Sequence, residues 1–120
     1  MLPPALRMRS ADEFAGTIRA GARAGRSTLV VHCRLVPGRE AAKVGFVVAR
    51  SVGGAVTRNR VRRRLRGMVV DHRDSLPHGA DVVVRALPSS VAAGFADLER
   101  EYRSALDAAY RRALARVAQP

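Results

Sequence analysis

Six arginines fall within nine residues, Arg58, Arg60, Arg62, Arg63, Arg64 and Arg66, and no acid stands between Arg50 and Arg66. Guanidinium groups are planar, permanently charged and fork-shaped, which suits them to phosphate. An ordinary solvated helix face mixes signs, with Glu and Lys four residues apart. A run of one sign repels itself at a cost in stability, so it points to a polyanionic partner. Gly53-Gly54-Ala55-Val56-Thr57 leads into the run, and the free N–H groups of a helix start can hold a phosphate. The segment lacks the GKS/T ending and the GxGxxG spacing of nucleotide loops. A nucleic-acid phosphate therefore fits it better than a nucleotide pocket, with Gly53, Gly54 and the nearby Arg50 as candidate contacts.

Other chemistries find few residues to work with. His32, His72 and His78 show no ligand spacing, and neither HExxH nor CxxC occurs. Cys33 is the single cysteine, so an internal disulfide is excluded and a Cys-based metal site lacks its other ligands. No serine sits in a nucleophile elbow. Asp71 and Asp74 are the only acids close to the basic run, and they read as helix-end and loop residues instead of metal ligands.

The elements that must carry the arginines belong to a chain of 120 residues with net charge +12. That length gives one domain with a sizeable core. With 48% hydrophobic residues disorder is excluded, and with no Trp, three Phe and two Tyr the core must be built from Val, Leu and Ala. Residues 1–70 hold 15 basic and 3 acidic side chains, whereas residues 71–120 hold 7 of each. One half carries the whole excess. No apolar run nears the ~20 residues of a membrane span, and the start lacks a signal peptide's apolar segment, so a cytoplasmic protein without a membrane partner is expected.

Residues 1–9, with Pro3 and Pro4, are expected to form a mobile basic arm. Ser10 caps a short helix with Asp12 and Glu13 in its first turn, Phe14 and Ile18 on one face, and Gly21 at its end. Thr28 to Val36 alternates as a half-buried strand, with Leu29, Val31, Cys33 and Leu35 facing one way and Val30, His32 and Arg34 the other. Pro37 to Glu40 is a turn, and Lys43 to Arg50 a second strand expected antiparallel to the first. Thr57 is the expected N-cap of a helix reaching about Asp71, with Val61, Leu65, Met68 and Val69 as its buried stripe. Asp81 to Leu87 is a Val-rich strand ended by Pro88, and Phe95 to Val117 a long amphipathic helix. The order α-β-β-(β)-α-β-α describes an α+β fold, a small twisted sheet with packed helices.

Arginines around most of a helix suit several phosphates better than one DNA groove, which favours RNA bound by shape. Val30 and His32, on the strand's outward face, could stack an unpaired base, unless a helix covers them.

The segment Gly53-Gly54-Ala55-Val56 followed by Arg58-Asn59-Arg60-Val61-Arg62-Arg63-Arg64-Leu65-Arg66 resembles the signature of the bacterial ribonuclease P protein component. Phe14, Val44-Gly45-Phe46 and the Asp81-Val82-Val83-Val84 strand with Pro88 extend the resemblance to about residues 6–115. It implies a protein subunit, without a catalytic side chain, of an endoribonuclease whose RNA binds Mg2+ and removes the 5′ leader from precursor tRNA. It further implies that Arg58, Asn59, Arg60, Arg62, Arg63 and Arg66 face the catalytic RNA, one protein to one RNA. The leader groove it implies maps onto Phe14, Ile18, Val30, His32, Val47 and Ala49. A left-handed βαβ crossover is implied as well, against the general right-handed rule. Three positions depart from the family pattern: Gly54 replaces the signature Asn, Arg50-Ser51 keeps half of a basic pair, and Leu87 stands where an Arg is usual, with the basic residue displaced to Arg85. A structural RNA-binding protein such as a ribosomal component is the alternative that shares fold and charge.

Overall fold

The computed structural model describes residues 2–118. Helix α1, Ala11–Ala20, begins at Ser10, whose side chain accepts from Glu13 N–H while the Glu13 carboxylate accepts from Ser10 N–H. This reciprocal capping box satisfies two orphan donors at once. Gly21 then closes the helix by donating to the Thr17 carbonyl.

Four strands follow the chain as β1 (Ala22–Gly25), β2 (Leu29–Leu35), β3 (Lys43–Val47) and β4 (Ala80–Ala86), and lie in the sheet in the order β1-β2-β4-β3. The β2 strand pairs antiparallel with both β1 and β4, whereas β3 runs parallel to β4. The β3 strand thus runs antiparallel to β2, as expected, but does not pair with it, because β4 lies between them. The parallel β3 and β4 are joined through helix α2, Ala55–Asp71, and helix α3, Phe95–Ala118, completes the chain. The sequence of elements is thus α-β-β-β-α-β-α.

Alternation along the strands sorts the sheet into two faces. Leu29, Val31, Cys33, Val44, Val82, Val84 and Ala86 point to one, where they form a single core with Val61, Leu65, Met68 and Val69 of α2 and Leu98, Tyr102, Leu106 and Ala109 of α3. The α2 stripe read from the 3.6-residue period is the stripe that is buried. Helix α1 lies on the opposite face, against β2 and β4.

Two local expectations need correction. Helix α2 starts two residues before Thr57, with Gly54 at the N-cap and no side-chain cap; Thr57 instead packs against Gly53, where a Cβ would leave it no room. Residues 2–9 do not project as an arm. Leu2 is buried in the core, Leu6 packs against it, and Met8 N–H donates to the Val44 carbonyl at 3.0 Å. Three apolar side chains in seven residues give this segment surface to bury, which covers the outer edge of β3.

Candidate nucleic-acid interface

Helix α2 turns its apolar stripe inward and leaves its arginines outside. Arg60, Arg63 and Arg66 are exposed, Arg58 and Arg62 half-buried. Among the described residues none of these five meets a carboxylate: the ion pairs are Arg34–Asp81, Arg39–Asp81, Lys43–Glu13, Arg100–Asp97 and Arg111–Asp107, and the Glu99 carboxylate is hydrogen-bonded to the His72 ring. Asn59 is exposed beside them and accepts from Arg62 Nη1 at 3.2 Å. A helix whose cations have neutral neighbours keeps its full field available to an outside anion.

Arg64 has a different task. Its guanidinium donates to the carbonyls of Ala93, at 2.6 Å, and Ser90, at 3.4 Å, and so ties α2 to the turn before α3. Nothing in the sequence separates Arg64 from its neighbours except its place beside the Val61–Leu65 stripe.

The start of α2 offers unused donors. Gly54 has no Cβ neighbour within van der Waals reach, no side chain caps the helix, and the exposed Arg50 stands in the turn just before it. Gly54, in place of the family's Asn, leaves the N–H groups of the first turn open to a ligand.

The expected leader groove is only partly brought together. Phe14, Ile18 and Val47 are half-buried and Ala49 is exposed, but Val30 and His32 are each 3% exposed. His32 therefore cannot stack an incoming base as its outward strand position suggested. Helix α1 covers it: Gly16 and Thr17, both buried, bring the helix close to the sheet, and the absence of a side chain on Gly16 makes room for the Arg34 guanidinium. Burial, reinforced by Arg85 and Arg23, pushes the His32 pKa below its usual value. Arg85 sits on this same face, paired with Val30 across β2 and β4.

What remains open lies toward β3. A groove of about 720 Å³ is lined by Met8, Phe14, Gly45 and Phe46 on one side and by Arg62, Arg63 and Arg66 on the other. Phe14 reaches it because Gly45 has no side chain; a Cβ there would overlap the phenyl ring. One ring from the predicted groove and three cations from the signature helix thus share a single cavity, with an apolar floor and a positive wall. That combination suits a stacked base and its flanking phosphates.

One ion pair ties α1 to β3, and a second cluster ties β4 to β2 and the turn that follows it. Glu13 accepts from Lys43 at 3.2 Å, and Asp81, 1% exposed, is gripped by Arg39 at 2.5 Å and Arg34 at 3.1 Å. Burial opposes ionisation of Glu13, but the Lys43 contact and the N–H groups of Ser10 and Arg9 outweigh it and lower its pKa. Burial, then the Asp81 charge, pushes the Cys33 thiol up to about 11, so no thiolate is available at neutral pH. Among the described residues no three His, Cys, Asp or Glu side chains gather where a metal could be held.

A basic, uncompensated helix beside an aromatic groove on this strand order decides the question when set against known proteins. The ribonuclease P family profile matches residues 2–110. This chain belongs to the ribonuclease P protein family. The ribonuclease P protein component of Kocuria rhizophila is 49% identical over 112 residues, covering 93% of this chain and 98% of its own. That of Streptomyces bikiniensis is 48% identical over 122 residues, covering 95% and 96%. Among solved structures, the Staphylococcus aureus RNase P protein matches with a TM-score of 0.78 at 20% identity, over 88% of this chain and 95% of that one. The Thermotoga maritima RNase P protein gives 0.75 at 24%, over 83% and 94%. These two support the fold. The chain is a ribonuclease P protein subunit, a part of the endoribonuclease holoenzyme that matures tRNA 5′ ends, and so has an RNA partner in that complex. No helix among the described residues is long and apolar enough to cross a membrane.

Proposed function

We propose that this subunit binds the catalytic RNA through α2 and guides the 5′ leader of precursor tRNA along the Phe14 groove, working in the cytoplasm as one protein per RNA. The observation that carries this reading is the cavity in which Phe14 and Gly45 face Arg62, Arg63 and Arg66. Arg58, Asn59, Arg60, Arg62, Arg63 and Arg66 supply the contacts to the catalytic RNA, and Arg50 with the open turn at Gly53 and Gly54 takes a phosphate. The leader runs over Phe14, Val47 and Ala49, with Ile18 at the margin and Val30 and His32 as the packed floor beneath α1.

The chemistry of cleavage belongs to the RNA, which holds the Mg2+ in this reading. Activating a water and stabilising the leaving oxygen need ions placed against the scissile phosphate. What this chain contributes is charge and position. A basic helix between two RNAs lowers their mutual repulsion, so precursor binds more tightly and weak cation sites on the RNA fill at lower concentration.

Counterion release makes the reading measurable. If Arg58, Arg60, Arg62, Arg63 and Arg66 each meet a phosphate, these five contribute about -3.5 to -4.5 to the slope of log K against log salt for a bacterial ribonuclease P RNA. Filter binding from low to physiological salt reads this slope directly. A value near -1 would remove α2 from the interface.

A further inference from the structure

The β1 edge, on the far side of the sheet from β3, carries a second line of cations. Arg19 ends α1, Arg23 stands on β1, and Arg112 and Arg116 lie one turn apart near the end of α3; all four are exposed. Arg112 Nη1 donates to the Arg23 carbonyl and Arg116 Nη1 to the Ala20 carbonyl at 3.2 Å. Arg26 prolongs the row, donating to Gly25 O at 2.8 Å and Ser104 Oγ at 3.0 Å.

These acceptors are neutral. They hold the side chains in place without cancelling charge, and a guanidinium has five donors, most of which stay free. Of the nearby carboxylates, Asp107 pairs with Arg111 at 2.7 Å, while Glu101 is held by Ser27 Oγ at 2.7 Å and Thr28 Oγ1 at 2.6 Å and keeps its charge at the Arg26 end of the row, away from Arg112 and Arg116. The C-terminal half is neutral by count but not by placement, since its acids are spent along α3 and the turns while Arg112 and Arg116 remain without a carboxylate among the described residues. Guarding an edge strand needs only a charge or two. Four uncompensated cations, Arg112 and Arg116 among them held in position by backbone carbonyls, exceed that need.

We propose that Arg19, Arg23, Arg112 and Arg116 form a second RNA-binding edge that takes backbone phosphates of the catalytic RNA. This rests on the ribonuclease P reading above. Two strands separate β1 from β3, so the row lies about 14 Å across the sheet from the strand edge nearest the α2 groove. It also turns a corner, since α1 and α3 lie on opposite faces of the sheet. A folded RNA presents phosphates over such a surface, whereas a single strand lying along the α1 face would meet Arg19 and Arg23 but not Arg112 and Arg116.

The test compares the full-length protein with the variant Arg23→Gln/Arg112→Gln/Arg116→Gln, titrating salt against a bacterial ribonuclease P RNA transcript and, separately, a precursor tRNA. The slope for the catalytic RNA should drop by about 2 to 2.7, at 0.7 to 0.9 per contact, with little change for precursor tRNA. The matching Lys variant should keep the slope. If the triple variant unfolds, Arg19→Gln/Arg116→Gln carries the test, with a drop of about 1.5. An unchanged slope for the catalytic RNA overturns the proposal, and self-association accompanying it would assign the row to edge protection. A drop seen only with precursor tRNA overturns it too. A wild-type slope near zero on both RNAs would instead sink the ribonuclease P reading on which it rests.

Discussion

Helices α2 and α3 pack into the same core, yet they treat their charges in opposite ways. Along α3, Asp97 pairs with Arg100 at 2.8 Å and Asp107 with Arg111 at 2.7 Å, and Glu99 meets His72 at 2.9 Å. Along α2, from Ala55 to Val70, there is no acid. Compensated charge is what a helix carries where its outer face meets only water, because i,i+3 and i,i+4 pairs relieve repulsion at no cost elsewhere; on α3 that stretch ends at Arg111, before the unpaired Arg112 and Arg116. A helix that forgoes such relief is a surface waiting for a partner. Amphipathicity alone does not distinguish them, since both bury an apolar stripe; the fate of the polar face does.

The same contrast can be broken at single residues. The largest stability effect belongs to the cluster in which one buried carboxylate, Asp81, serves both Arg34 and Arg39. Asp81→Asn would leave Arg34 and Arg39 facing each other across a neutral amide, with an expected loss of about 3 kcal/mol in urea unfolding and no change in the RNA salt slope. A loss below about 0.5 kcal/mol would mean that water already screens the trio.

Arg64 sharpens the comparison from inside α2. Arg64→Ala removes two donors from the Ser90 and Ala93 carbonyls and should cost roughly 1.5 to 2 kcal/mol. It should leave the salt slope within error, unlike its neighbours. Arg111→Ala, which breaks an exposed i,i+4 pair on α3, should cost only about 0.3 kcal/mol. If Arg64 and Arg111 proved equal, the division of α2 into one structural and five binding arginines would fail.

The smallest effect is a pH dependence. His32 has its pKa lowered by burial, then by Arg85 and Arg23, so the unfolded chain takes up a proton near pH 6.5 that the folded chain refuses. Stability is therefore full above about pH 6.5 and declines as pH falls through it toward the folded value. His32→Leu should flatten the decline between about pH 7 and pH 5 in equilibrium unfolding. Glu101, held low by the Thr28 and Ser27 hydroxyls, acts only at more acidic pH. An identical decline in both proteins would place the proton elsewhere.

The pattern of residues told more about α2 than about its surroundings. Its buried stripe, its cations and its end near Asp71 were legible because period and charge are local properties. The strand β1 was not, since Ala22-Arg23-Ala24-Gly25 has no β-branched or aromatic residue and forms only because β2 offers it a partner. The pairing of β4 between β2 and β3 joins segments more than thirty residues apart, which no local pattern records. At the site, alternation placed Val30 and His32 on the outward face, which is correct, but it could not show that α1 packs on that face, with Gly16 making room for Arg34. The meeting of Phe14 with Arg62, Arg63 and Arg66 depends on Gly45 and on where α2 docks. The role of Arg64 likewise depends on the distant Ala93.

The central claim is that uncompensated charge on α2 makes this chain the working partner of a catalytic RNA. The direct measurement is cleavage of precursor tRNA by a bacterial ribonuclease P RNA at magnesium too low for the RNA alone, with the wild-type protein and with Arg60→Gln/Arg62→Gln/Arg63→Gln/Arg66→Gln. Wild type should restore cleavage at the mature 5′ end, and the quadruple variant, folded as judged by circular dichroism, should lose most of that rescue. Equal rescue by both, or none by wild type, would contradict the account.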